Sequence, residues 1–373
     1  MKIEERIYFM LLRRALWGEE SVGSGGVPIG GVGAETLPAS VMTLAMRQGT
    51  GAIVAEQIMK SGEASAALKM ICGRNMMQRE RLMGVLKKAW KALEDAGIRP
   101  VLLKGFGLAE NYPQPDLRQY GDIDIFVGKE AYHEGAKVLR EAFPEALHFD
   151  EEAEYFKHYN LLMDDISIEM HRVSAAFSHP RDARIYDELE SAAMREAECQ
   201  QWWRAPEVKF NILFVFFHSW EHWLSEGACI RQIVDLMMLI KSARERKIAG
   251  LDEYLEKNLK RLHLMRVWKL YAYVMVQHLG LKKEDCPLYD GSVGEAAEKM
   301  LRRVLEGKDA APKEEEKAPK NVILRKMYTL RVRIREAKEI AKVEPGYARH
   351  MIATAFAQSW ERFKLGQNTR KWE

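Results

Sequence analysis

The chain has 373 residues, of which 47% are hydrophobic and 30% charged, a balance that describes a soluble globular protein able to build a sizeable core. A formal net charge of +3 excludes a polycation. Four widely spaced cysteines (Cys72, Cys199, Cys229 and Cys286) form no CxxC pair, which excludes a disulfide framework and a cysteine zinc site and predicts reduced, buried thiols in a cytoplasmic protein.

The N-terminal MKIEERIYFMLLRRALWGEE mixes acidic residues and two arginines into a short apolar run, so it predicts a surface helix and not a secretory signal. SVGSGGVPIGGVG (21–33) shares only glycine content with a phosphate loop: no Lys-Ser or Lys-Thr follows and no apolar strand precedes, so a flexible loop is expected. Leu82, Leu86, Ala89, Leu93 and Ala96 recur at three- and four-residue steps, which predicts a helix over about 83–96 capped by Gly97. Residues 1–96 therefore read as an N-terminal helical region.

The pattern then changes. Residues 99–104 hold a short strand (PVLL), followed by a brief helix, the turn-rich PQPDLRQYG, the strand DIDIFV and a helix over about 129–142. Residues 154–163 and 166–172 predict two strands joined as a hairpin at Asp164-Asp165. Residues 97–175 thus form a small α/β core with a mixed sheet, flanked by helical regions, and the fold class is α+β. Residues 176–306 are predicted to be a helical domain. Its apolar stretch 210–217 is too short for a bilayer, and 262–279 carries Arg266 and Lys269 near its middle, so both read as buried helices and no membrane span is expected. GKDAAPKEEEKAP (307–319) is a linker or loop. The closing segment, 320–373, reads as helical and basic, with 13 Lys or Arg against 5 Glu. Its Arg331, Arg333 and Arg335, near Tyr328, read either as a stripe guiding a polyanion such as RNA or as the solvated face of a closing helix, and the latter is preferred.

The chemistry concentrates in VLLKGFGLAENYPQPDLRQYGDIDIFV. Alternation along a strand puts Asp122 and Asp124 on one face and Ile123 and Ile125 in the core. Two carboxylates one strand-step apart, after Gly121, suit Mg²⁺ or Mn²⁺ shared with substrate phosphates, and like charges held so close call for a cation. In ISIEMHR the same alternation sets Ser167, Glu169 and His171 opposite Ile166, Ile168 and Met170. If this strand lies beside DIDIFV, Glu169 supplies the third carboxylate that in-line phosphoryl transfer wants. Asp164 and Asp165 compete for that role but sit at the hairpin tip. Upstream, Gly105 opens a helix whose N–H groups can approach a triphosphate, and Lys104 and Arg118 can neutralise its charge.

These residues resemble the DNA polymerase β-like nucleotidyltransferase superfamily, and more narrowly its bacterial branch of uncharacterised nucleotidyltransferases. LLKG, an interval of about a dozen residues and R-x-x-GDIDI-x-V carry the resemblance. Glu169-Met170-His171, His218 or His222, and Arg231 with Asp235 match the branch further. The resemblance spans roughly residues 80–240. It departs from the superfamily at Gly105-Phe106, where a Gly-Ser is usual. It implies transfer of a nucleoside monophosphate from an NTP, ATP first among the candidates, to an acceptor hydroxyl, with pyrophosphate released. Asp122, Asp124 and Glu169 would then be catalytic and metal-binding, with Lys104, Gly105, Arg118, Gly121, His171 and Arg231 around the nucleotide. The acceptor stays open among a protein side chain, a small molecule or glycan precursor, and an RNA end, and the oligomeric state is not legible.

Two other readings compete. His218-Ser-Trp-Glu221-His222 spells the H-x-x-E-H motif of a zinc metallopeptidase, but no third ligand is marked out, and an aromatic-rich core helix is the plainer reading. Alternatively the fold serves as a non-catalytic interaction or regulatory protein. Arg231 and Asp235, spaced i, i+4, are expected either as an ordinary helix ion pair or as a substrate-reaching arginine oriented by its aspartate.

Overall fold

A computed structural model of the chain describes residues 1–18, 39–62, 64–149, 158–177, 179–224, 227–307, 334, 337, 338 and 340–349. The glycine-rich stretch 21–33, most of the linker and the Arg331–Arg335 stripe lie outside the described residues. The N-terminal region contains α1 (Ile3–Trp17), α2 (Ala39–Arg47), α3 (Gly51–Lys60) and α4 (Ala66–Asp95). The helix expected over 83–96 is thus the second half of a 30-residue helix. Its first half carries the exposed Met70, Met76 and Met77, and so lacks the apolar periodicity that marks a buried face. As expected, Gly97 follows the helix in a left-handed conformation, φ 74°.

The middle of the chain forms β1 (Val101–Leu102), the single helical turn α5 (Phe106–Ala109), a 3₁₀ turn (Pro115–Leu117), β2 (Ile123–Phe126), α6 (Gly128–Ala142), β3 (Leu147–Phe149), β4 (His158–Met163) and β5 (Ile166–His171). The five strands make one mixed sheet in the order β1-β2-β5-β4-β3. Only β2 and β5 run parallel, and their register sets Ile123 beside Ile168 and Asp124 beside Glu169. β4 and β5 form the expected hairpin, with Met163 opposite Ile166 and Asp164 turning at φ 54°. Aspartate tolerates that left-handed conformation better than most residues. Together with its helices the sheet is an α+β fold.

One face of the sheet is apolar because alternate strand positions are apolar. Ile123, Ile125, Leu161, Ile168 and Met170 join Leu86 and Leu93 of α4 and Leu139 of α6 in a continuous core. Helix α6 lies close on β5 at Gly135, where a Cβ would come within 2.7 Å of the Met170 sulfur. With that face covered, the polar positions of β2 and β5 are left for the opposite side.

The remaining elements are α7 (Pro180–Arg195), a two-stranded ladder of β6 (Glu198–Cys199) and β7 (Arg204–Ala205), α8 (Val208–Leu224), α9 (Ile230–Glu245), α10 (Leu251–Arg261), α11 (Met265–Gln277) and α12 (Gly294–Glu306). The β6–β7 ladder and β3 went unread in the sequence because two or three residues carry no usable alternation. Both apolar stretches are buried helices: Phe210 to Phe217 are all buried in α8, as are Trp268, Tyr271 and Met275 in α11. No helix among the described residues is long and apolar enough to cross a membrane. Near the C-terminus, Ile340, Val343 and Ala348 join this helical core, Tyr347 meets the ring of Trp220 edge-on, and Glu344 pairs with Arg266 at 2.6 Å. All four cysteines are free. Cys72 and Cys286 are buried as expected, whereas Cys199, on the short β6, is exposed.

Candidate functional site

The polar face of β2 and β5 carries the carboxylates. Asp124 is 2% exposed, Glu169 lies beside it through the parallel ladder, and Asp122 sits exposed just before β2. Ligand oxygens of Asp122, Asp124 and Glu169 all lie within 4.8 Å of one another. The trio expected from strand alternation is therefore assembled, and the competing Asp165 instead pairs with Arg81.

A buried carboxylate needs compensation, and here it comes from an ammonium and an imidazole. Lys104, at the exit of β1, places its ammonium 2.9 Å from Asp124 Oδ1, and His171 Nε2 lies 3.0 Å from the same oxygen. Burial alone would raise the Asp124 carboxyl, but Lys104 and the His171 hydrogen bond hold it well below the usual carboxylate range. Burial likewise pushes Glu169 up, and the His171 imidazole, with Nε2 3.5 Å away, brings it below its ordinary value. The counterparts move oppositely. Burial disfavours charge on Lys104 and on His171, but the facing carboxylates outweigh it and raise both. The site is a set of charges that are stable only together.

Gly105 sets the position of Lys104. It has φ 61° and ψ −112°, a left-handed backbone that side chains other than glycine's strain to adopt, and it turns the chain from β1 into α5. At one turn, α5 is the brief helix expected after Gly105.

An open cleft lies over Asp122 and Asp124 and brings in the helical region: Lys104, Gly105, Arg118, Gly121, His218, His222, Arg231, Gln232 and Asp235 also line it. Nearly all the residues read from the sequence as nucleotide-binding therefore meet in one place. Their pairings differ from expectation. Asp235 does not take Arg231 as its partner. Its two oxygens receive Arg118 Nε at 2.7 Å and Nη2 at 2.8 Å, and the Tyr112 hydroxyl donates to it at 2.6 Å. Arg118, 2% exposed, is a buried strut tying the segment before β2 to α9, with its guanidinium engaged by Asp235 at the cleft wall. Arg231 donates from Nη1 to the Gln119 carbonyl at 3.2 Å and lies against Gly49, where a Cβ would come within 3.0 Å of its Nε.

His218 and His222 share a helix face, with their Nε2 atoms 3.1 Å apart, and His218 Nε2 is also 3.1 Å from the Lys104 ammonium. A hydrogen-bonded path thus runs from Asp124 through Lys104 to the two histidines. Among the described residues neither histidine belongs to a group of three metal-ligating side chains, so a zinc peptidase centre lacks its third ligand. Glu221, the would-be base, lies near enough to Tyr186 and Tyr347 to help raise both phenols, after the larger effect of burial.

Sequence reading missed His158. It stands directly opposite His171 across the β4–β5 ladder, with Nδ1 3.8 Å from Glu169 Oε2. The signal was present: a hairpin turning on Asp164-Asp165 pairs 163 with 166 and therefore 158 with 171.

A family model described as "Uncharacterised nucleotidyltransferase" matches residues 35–280. No curated protein and no solved structure matches the chain.

Proposed function

The chain belongs to the uncharacterised nucleotidyltransferase family, and from that premise we propose that it moves a nucleoside monophosphate from an NTP, ATP first among the donors, to an acceptor hydroxyl. The observation that carries this reading is the β2–β5 register, which sets Glu169 within 4.8 Å of Asp122 and Asp124, the two aspartates that open onto a cleft lined by cationic and imidazole side chains. A donor set of three carboxylates fits a hard divalent cation. Asp122, Asp124 and Glu169 would hold Mg²⁺ or Mn²⁺, which supplies charge neutralisation for the triphosphate when bound.

The residues around them have definable tasks. Glu169, kept ionised by His171, accepts the proton of the acceptor hydroxyl. That oxygen forms a bond to the α-phosphorus, the bond from the α-phosphorus to the oxygen bridging it to the β-phosphate breaks, and pyrophosphate departs with the electron pair. Lys104 neutralises Asp124 and is placed to turn its charge to a phosphate once the carboxylate has another counter-ion. Arg231, unlike Arg118, forms no salt bridge to a carboxylate among the described residues and is placed to meet the nucleotide. The acceptor is a protein side chain, a small molecule or glycan precursor, or an RNA end.

The test is calorimetric titration of each NTP with Mg²⁺ into wild type and into Asp122→Ala/Asp124→Ala. Metal-dependent binding by wild type that the double variant loses, with incorporation of an α-phosphate label into an acceptor from a cell extract, supports transfer. Folded wild type that binds no NTP, with or without extract, would sink it in favour of a non-catalytic interaction protein.

A further inference from the structure

We propose a second metal position beside the aspartates, in which His158, His171 and Glu169 bind a transition-metal dication of the Mn²⁺, Fe²⁺, Co²⁺ or Zn²⁺ class. The argument begins with the hairpin. Glu169 and His171 are two apart on β5 and share a face, and His158 of β4 is the cross-strand partner of His171. Backbone pairing alone therefore groups the three side chains, with no loop to be ordered first.

Their donors converge. His158 Nδ1 is 3.8 Å and His171 Nε2 3.5 Å from the same oxygen, Oε2 of Glu169, and the two rings stand edge to face with centroids 5.1 Å apart. Ligand atoms of all three lie within 4.8 Å of one another. Metal bonds to nitrogen and oxygen of about 2.0–2.2 Å place two ligands on one ion at most about 4.4 Å apart, so small side-chain adjustments suffice. His171 Nε2 is hydrogen-bonded to Asp124, while its Nδ1 is buried with no hydrogen-bond partner among the described residues.

Ligand chemistry separates this position from its neighbour. Asp122, Asp124 and Glu169 offer oxygen alone, the set Mg²⁺ favours. Two imidazoles and a carboxylate bind later first-row dications far better than Mg²⁺. Glu169 belongs to both groups, so the pair forms a carboxylate-bridged centre with one hard and one borderline position. The second position is defined by its ligands and stands whatever group the enzyme transfers.

Metal-free full-length protein titrated with Co²⁺ alone tests it, read by proton NMR for exchangeable, paramagnetically shifted imidazole N–H resonances. The expected result is tight binding with two such resonances in wild type. His158→Ala and the closer-sized His158→Gln should each lose one resonance and at least about tenfold in affinity, while Asp122→Asn keeps both. Wild type without shifted imidazole resonances, or His158 variants that bind Co²⁺ as wild type does, would overturn the proposal. Mg²⁺-dependent transfer in such a protein would leave the nucleotidyltransferase reading intact, and two imidazole resonances without transfer would leave the metal position intact.

Discussion

On the sheet, residues two apart share a face, and the β2–β5 ladder fixes which of them meet. On α8 and α9, residues four apart also share a face, but most of their working partners come from distant chain. Asp124 meets Glu169 because strand register requires it. Asp235 meets Arg118, 117 positions away, and His218 meets Lys104, 114 positions away, because the helical region packs over the sheet. Side chains on the strands are thus arranged by the backbone ladder, while those on the helices depend on the closure of the cleft.

The largest expected contrast lies within the aspartate pair. Asp122→Ala and Asp124→Ala should each reduce nucleotidyl transfer by more than about 100-fold, since ligands matter at least as much as the groups that orient them. Stability should separate the two. Asp124 is buried against Lys104 and His171, and its removal strands the buried Lys104 ammonium and leaves the His171 imidazole without its acceptor, a loss of ~3–5 kcal/mol. Asp122 is exposed, so its loss should leave denaturant midpoints almost unchanged. Equal destabilisation of the two variants in urea melts would break the view that Asp124 is held by its compensating charges.

On the helical wall the corresponding contrast is between two arginines. Arg118→Ala leaves Asp235 buried with Tyr112 as its remaining side-chain donor and should cost ~3–5 kcal/mol. Replacing both ends, as Arg118→Met/Asp235→Leu, should recover much of that loss because no unpaired charge remains. Arg231→Ala should cost less than about 1 kcal/mol and act on nucleotide affinity instead. Guanidinium melts and NTP titrations of the three variants decide it. A stable Arg118→Ala with weakened NTP binding would return Arg118 to the phosphate role that its sequence position first suggested.

That difference also explains what was legible in the sequence. Alternation placed Asp122, Asp124 and Glu169 on one face, and parallel pairing brought the third beside the first two. The hairpin at Asp164-Asp165 even encoded the position of His158, although the residue was overlooked. The H-x-x-E-H spacing of α8 put His218 beside His222, but neither it nor the Arg-x-x-x-Asp spacing of α9 showed that Lys104 and Arg118 reach His218 and Asp235 from distant chain. A spacing of i, i+4 states only that two residues are neighbours, and a longer-range charge can claim either one. The segment before β2 was hardest to read: Tyr112 and Arg118 sit in irregular chain, where no period predicts which way a side chain points.

Lys104 touches both regions, so a backbone change next to it reports on their coupling. Gly105→Ala meets no close atom, since its Cβ would lie 3.9 Å from the Asp122 carbonyl oxygen. The cost is conformational, at φ 61°, and should be ~1–2 kcal/mol. Because the same turn sets Lys104 against Asp124 and His218, transfer should fall further than stability does. A variant that loses stability and keeps full activity would show that Lys104 finds its place without the turn.

The smallest effect is a pH dependence confined to the wall. Burial would raise Asp235, but Arg118 holds it below its ordinary value of 3.8. A carboxyl depressed in the folded state contributes stability that is fully present above its unfolded value, from about pH 4 upward, and is lost as pH falls through the folded value. In that acid window the wild type takes up a proton on unfolding that Arg118→Met/Asp235→Leu does not. Stability of the wild type should therefore fall more steeply between about pH 4 and 2, by as much as ~1.4 kcal/mol per pH unit for one proton. Above pH 5 the two slopes should coincide. Urea melts at pH 3, 4 and 6 give those slopes directly, and parallel lines through the acid range would mean that Asp235 gains nothing from Arg118 on folding, so that the strut is held by packing alone.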